Sequence, residues 1–164
     1  MTDLVTTSES KELDYITGNE GKDVENFVTF IIEDQMFGIP VLGVQDILTP
    51  DAIASVPLAP PEVKGSINLR GRIVTVVDVR VRLGLGGRPV DLNNMGVTVE
   101  HQNELYTLLV DTVGDVIGLS SEYFENNPGT LDPLWRDFAN GVYRLDDRLM
   151  VVLDVGHLLN LTEQ

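Results

Sequence analysis

The chain has 164 residues, with 26 acidic and 11 basic side chains, no cysteine and 43% apolar residues, which is enough for one folded unit with its own core. A formal charge of -15 argues against sequence-independent nucleic-acid binding and against adhesion to an anionic membrane, since both need clustered Lys and Arg. The lack of Cys excludes a disulfide framework, thiolate metal sites and cysteine catalysis, and fits a reducing compartment.

Residues 1–25 carry seven acids, two lysines and few large apolar groups, so a flexible acidic tail is predicted there. From Phe27 the texture changes to short apolar runs rich in β-branched residues, broken by Gly, Pro, Asn or Asp, the pattern of a barrel or sandwich. Strands are predicted from Phe27 to Ile32 and from Met36 to Pro40, joined by a turn at Glu33, Asp34 and Gln35. A second pair runs from Ser66 to Leu69 and from Ile73 to Asp78 around Arg70 and Gly71. The same plan follows in Gly96 to His101 and Leu105 to Asp111 around Gln102 and Asn103, then in Val142 to Leu145 and Leu149 to Asp154 around Asp146 and Asp147. Val79 to Leu85 and Val155 to Leu161 have apolar residues spaced for a turn or two of helix. The longest unbroken apolar run, Leu149 to Leu153, is too short to cross a bilayer, and the first residues lack the basic and apolar regions of a secretory signal. A cytoplasmic location is expected.

The two halves resemble each other. Aligned without gaps, Gly65 to Leu85 and Gly141 to Leu161 share eight identities in 21 positions, among them Gly65/Gly141, Arg72/Arg148 and Asp78/Asp154. Upstream, at a different offset, Val28, Thr29, Val41, Val44 and Asp46 match Val97, Thr98, Val110, Val113 and Asp115. Valine-rich strands align by chance, but polar matches in register favour duplication. Two similar β units imply a groove or seam between them, a common place for a ligand.

Catalytic and metal-binding patterns are missing. His101 and His157 are far apart, with no His-x-x-x-His or Glu-x-x-His spacing, so no metal site is expected. Gly84-Leu85-Gly86-Gly87 lacks the Lys-Ser/Thr of a phosphate loop and reads as a link between halves, and there is no G-x-S-x-G elbow. Asp146 and Asp147 fit a hairpin turn. No catalytic residue and no cofactor are assigned; a small hydrolytic β-barrel with paired carboxylates stays open as a lesser alternative.

One window breaks the acidic trend. Lys64 to Arg88 holds six basic side chains and one acid, whereas Pro89 to Gln164 holds three arginines and thirteen acids. Such polarity either steers docking or is an ordinary solvated face. Arg70 stands out, in the turn-flanked run Gly65-Ser66-Ile67-Asn68-Leu69-Arg70-Gly71, where a guanidinium can hold carbonyls or an acidic partner. Its repeat counterpart is Asp146, so the fold alone does not demand arginine.

The run from Gly65 through Asn68-Leu69-Arg70-Gly71 to Arg80, preceded by Phe37 to Ile47 and followed by Leu109 to Val116 and Gly141 to Asp154, resembles the CheW family of bacterial chemotaxis coupling proteins. The match spans residues 26 to 161 in order, with halves at about 26–88 and 95–161. The resemblance implies an all-β fold of two intertwined five-stranded SH3-like barrels with short helical turns. It also implies a non-enzymatic adaptor that joins the cytoplasmic tips of chemoreceptors to the regulatory domain of the histidine kinase CheA, recruited to receptor arrays at the inner membrane without inserting into it. A coupler for a non-flagellar chemosensory pathway with the same fold is equally compatible. By motif position, the receptor-binding residues would be Val41, Val44, Gln45, Asp46, Ile47 and Arg70, and the kinase-binding residues Gly65 and Ile73. Asp46 stands where the family has Glu, and Thr75 where it usually has Pro. Val41, Val44 and Ile47 are also candidates for the core.

Overall fold

Three of the four predicted hairpins have two-residue loops with left-handed backbone at both central positions, φ +53° and +71° at Glu33 and Asp34, +53° and +85° at Arg70 and Gly71, and +55° and +67° at Gln102 and Asn103. These primed turns match the twist of the strands that they join. The computed structural model describes residues 24–50, 52–85, 95–126, 131 and 133–160. Residues 1–23 of the expected tail, Gly86 and Gly87 of the expected link and Arg88 of the basic window lie outside them.

In chain order the strands are β1 (Val24–Ile32), β2 (Gln35–Pro40), β3 (Val44–Leu48), β4 (Val63–Leu69), β5 (Arg72–Asp78), β6 (Met95–His101), β7 (Glu104–Val110), β8 (Thr112–Ser120), β9 (Phe124–Glu125), β10 (Ala139–Arg144) and β11 (Leu149–Leu153). Single helical turns α1 (Val79–Arg82), α2 (Pro133–Arg136) and α3 (Val155–Leu158) punctuate them. β1 begins at Val24, paired with Ser120, so Val24 and Glu25 belong to the sheet and not to the expected tail. The two helical turns expected from spacing are α1 and α3; α2, β3, β8 and β9 were not predicted as elements.

The strands form two sheets, six-stranded in the order β8-β1-β2-β11-β10-β9 and five-stranded in the order β3-β6-β7-β5-β4. Each is built around a hairpin of one half and flanked by strands of the other. The exchange is reciprocal. β5 runs parallel to β7 with Thr75 opposite Tyr106, and β11 runs parallel to β2 with Val151 opposite Phe37; the repeat offsets convert one pairing into the other. Likewise Ile47 faces Val97 and Val116 faces Val28.

Both sheets close on themselves. β8 continues through a 3-10 turn (Ser121–Tyr123) into β9, which pairs with β10, so the six strands make five staves. In the other sheet the chain after β3 returns to β4, where the N–H of Ala54 donates to the Ser66 carbonyl at 2.9 Å and the N–H of Ser66 to the Ala54 carbonyl at 2.8 Å. The expected pair of intertwined barrels is thus present.

Closure explains the identity of Gly65 and Gly141. Gly65 has φ +151°, and a Cβ there would lie 2.2 Å from the Ala54 carbonyl oxygen; at Gly141 it would lie 2.2 Å from Phe124 Cζ and 2.5 Å from the Glu125 carbonyl oxygen. Only a residue without a side chain lets the closing strand approach so near. Asp78 and Asp154 match for another reason, since both cap a helical turn. Asp78 Oδ1 accepts from the N–H of Arg80 at 3.0 Å, and Asp154 Oδ1 from the N–H of His157 at 3.0 Å.

One core spans the seam, with Phe30, Ile32, Phe37, Val97, Leu108, Val151, Leu153 and Trp135 among its buried members. Burying each of these side chains stabilises the fold by about 1.5–3 kcal/mol before entropy is counted. Smaller clusters, around Phe27, Tyr143 and Met150 and around Ile67, Val74 and Val76, fill the rest of each barrel.

Candidate functional site

β3 borders the five-stranded sheet and alternates in exposure: Gln45 and Ile47 face out, while Val44, Asp46 and Leu48 face in. A bulge between Val44 and Asp46 leaves Gln45 unpaired with β6. Barrel closure brings the β4–β5 turn beside this strand. There Arg70 Nη2 lies 3.0 Å from Asp46 Oδ2, with the Arg70 side chain 74% exposed and that of Asp46 24% exposed. The other carboxylate oxygen of Asp46 accepts the N–H of Ile47 at 2.8 Å, and Asn68 Oδ1 accepts the N–H of Gly71 at 2.9 Å. The Asp46 carboxylate is thus held by the backbone of β3, and the turn that carries Arg70 is held by Asn68. An exposed pair of this kind contributes about 0–1 kcal/mol, too little to explain an arginine in a left-handed turn position by stability.

Three large apolar side chains on β3, β5 and the turn after β2 are exposed. Leu42 is 94% exposed, Ile73 is 72% exposed and Ile47 is 40% exposed. Leu42 sits in a 3-10 turn (Val41–Gly43) that continues β2, and with Val24, Glu25, Asn26 and Val41 it lines a shallow hollow of about 200 Å³. Of the expected apolar stripe, Ile47 is presented to solvent, Val41 is half-buried, and Val44 packs against the main core. Leu42 was missed by sequence reasoning. The signal was available: its repeat counterpart, Asp111, is charged, so the core does not require a leucine there.

Gly65 is buried against the closing strand, whereas Ile73 lies on the outer face of the same hairpin. Gly65 sets the path of the backbone and offers no side chain.

The basic window is largely spent on internal pairing. Arg80 Nη2 lies 2.6 Å from Glu33 Oε1 and its Nη1 2.9 Å from Asp111 Oδ2, which ties α1 to the β1–β2 and β7–β8 turns. Arg82 donates to the Leu158 carbonyl at 2.7 Å and stacks 5.1 Å from the Phe138 ring centre, joining α1 to α3. Lys64 is 3.8 Å from Asp78. Among the described members of this group, Arg70 is the one that is both ion-paired and mostly exposed.

Residues 26–163 match the family model of the CheW-like domain. The chain is 29% identical over 139 residues to the chemotaxis protein CheW of Klebsiella aerogenes, covering 85% of this chain and 84% of that one. It is 26% identical over 140 residues to the chemotaxis protein CheW of Helicobacter pylori, covering 85% and 84%. Among solved structures it is similar to the scaffolding protein TtCheW from Thermoanaerobacter tengcongensis, with a TM-score of 0.76 at 25% identity, over 87% of this chain and 97% of that chain.

Proposed function

The chain belongs to the CheW family, and on that premise we propose that it couples chemoreceptor cytoplasmic tips to the regulatory domain of the histidine kinase CheA. Its role is that of a chemotaxis scaffold and not of an enzyme. Such a scaffold acts by binding one receptor-kinase arrangement more tightly than another, a differential free energy with no chemistry of its own.

The observation that carries the receptor half is the exposed Arg70 guanidinium, paired with Asp46, whose neighbour Ile47 is presented to solvent on β3. A helical hairpin that lays an apolar stripe on Ile47 and Leu42 would bring an acidic or carbonyl group to Arg70. Val41, Gln45 and Asp46 border that contact, and Val44 supports it from beneath. On this reading the kinase domain takes the flank beyond the β4–β5 turn, where Ile73 is the apolar anchor, and the protein is recruited to receptor arrays through these contacts.

The test is a pull-down with the purified full chain, a receptor-tip fragment and a CheA regulatory domain, together and apart. Binding of each, and of both at once, supports the proposal. Mutually exclusive binding, or no binding of either, defeats it.

A further inference from the structure

The duplication gives most interior places a twin, and one pair of twins differs sharply. On one side of the seam the Phe37 ring of β2 is capped by Trp135, with centroids 5.4 Å apart and planes at 76°. On α1 the Arg80 side chain, only 17% exposed, reaches Glu33 in the β1–β2 turn. Counted at the repeat offsets, the twin of Phe37 is Tyr106, that of Trp135 is Ala59, that of Arg136 is Pro60 and that of Arg80 is Gly156. The backbone keeps this register close to the site, since the N–H of Asp78 donates to Glu62 and that of Asp154 to Phe138, each at 2.8 Å. Large side chains fill one place, and small ones leave the other open. The result is a cleft of about 600 Å³, with Pro60, Val63, His101, Glu104, Tyr106 and Gly156 among its walls, within the size range of ligand sites.

We infer that this cleft is a docking site for an aromatic side chain and a neighbouring basic side chain presented by a polypeptide partner. The twin supplies the template, because the same framework on the other side holds an indole against the ring of Phe37 and carries a guanidinium at the position of Gly156, which lines the same cleft as Tyr106. The charge agrees. Among the described residues no Lys or Arg lines the cleft, Glu104 stands exposed at its rim and accepts from the Tyr106 hydroxyl at 3.3 Å, and Asp154 Oδ1 lies 3.6 Å from where a Cβ on Gly156 would sit. A cation entering beside Gly156 meets carboxylates, and the ring meets Tyr106, Val63 and Leu159. None of these residues belongs to the Arg70 surface, so this site stands or falls separately from the coupling role.

The experiment uses the full chain labelled for NMR and titrated with acetylated, amidated tryptophanyl-arginine, with tryptophanyl-glutamate as the comparison. Saturable shifts at His101, Tyr106 and Gly156 are expected, with the basic dipeptide binding at least about tenfold tighter. Gly156→Arg, which restores the filling residue of the twin, should weaken binding at least about tenfold; its Cβ meets nothing nearer than His101 Cε1 at 3.4 Å. Glu104→Gln, at an exposed position, should bring the two dipeptides to similar affinity. No saturable shift, equal affinity of the two dipeptides for the unaltered chain, or unchanged discrimination in Glu104→Gln overturns the inference. So does unchanged binding by a folded Gly156→Arg chain. Concentration-dependent shifts at His101 and Tyr106 without any dipeptide would assign the cleft to a second copy of the chain and overturn it as well.

Discussion

Gly65 and Gly141 occupy the same place in the two barrels, each pressed against the backbone of the strand that completes its ring, with a would-be Cβ 2.2 Å from the Ala54 carbonyl oxygen in one and 2.5 Å from that of Glu125 in the other. Neither neighbour can withdraw without breaking the closure. Gly65→Ala is therefore expected to destabilise the fold by more than about 3 kcal/mol. Gly71→Ala, at φ +85° with open space around it, should lose only about 1 kcal/mol. Denaturant unfolding of the two variants gives the comparison, and equal losses would show that closure is not the constraint.

Arg70→Glu places a second carboxylate beside Asp46 on an exposed turn. The melting temperature should move by no more than a few degrees, since the ion pair that is lost is solvent-screened. Affinity for the receptor tip should fall tenfold or more while that for the kinase domain changes little. Equal loss of both, read by titration calorimetry, would place the receptor contact elsewhere.

Leu58 has φ +64° and follows Pro57 in a turn closed by the N–H of Ala59 donating to the Val56 carbonyl at 3.3 Å. That arrangement is a type II turn, whose third position favours Gly or Asn. The Leu58 side chain is fully exposed and gains nothing from packing. Leu58→Asn should stabilise the chain by about 0.5–1 kcal/mol, seen as a rise of a few degrees in thermal unfolding.

Thr98 and Thr107 are wholly buried and their hydroxyls lie 2.7 Å apart, each the other's partner. Thr107→Val leaves the Thr98 hydroxyl without that bond and should cost about 1–3 kcal/mol, whereas Thr98→Val with Thr107→Val should recover most of the loss. A double-mutant cycle in urea that shows simple additivity would mean that the pair contributes nothing as a pair.

Two phenols respond to alkali. Burial, then the nearby charge of Glu104 and its hydrogen bond, raises the Tyr106 pKa above the ordinary 10.0, and burial, then Glu25, raises that of Tyr143 above 10.0. The folded state thus holds these groups neutral after the unfolded chain has begun to ionise. Their stabilising contribution is complete below pH 10 and is lost as pH climbs from there through the raised values. Unfolding followed from pH 9 to 12 should show this loss, reduced in Tyr143→Phe.

Local chemistry made the hairpins legible: Arg70-Gly71 and Gln102-Asn103 announce two-residue turns, and the β-branched runs beside them announce strands. The helical turns were legible as well, through the apolar spacing that follows Asp78 and Asp154. β8 was not, because Gly114, Asp115 and Gly118 interrupt its alternation at a place where the register with β1 also shifts. The juxtaposition of Asp46 and Arg70 was legible only through the family resemblance, which put both on one surface, and not from local pattern. It arises from closure of a sheet, a non-local event that no window of sequence reports. The cleft was half legible, since the repeat alignment from Gly65 to Leu85 already set Gly156 against Arg80, but the match of Ala59 with Trp135 lies outside that stretch and only coordinates show the open space.

The reciprocal strand exchange bears on how the molecule is made. Met36 faces Met150 across β2 and β11, so the six-stranded barrel cannot be finished until nearly the whole polypeptide has left the ribosome, whereas the strands of the other end at Val110. At about 5–20 residues per second, early hairpins wait seconds for their permanent neighbours, with strand edges bare meanwhile. Slow, topology-limited assembly follows, and with it a reliance during synthesis on the chain's strong negative charge to keep nascent copies apart.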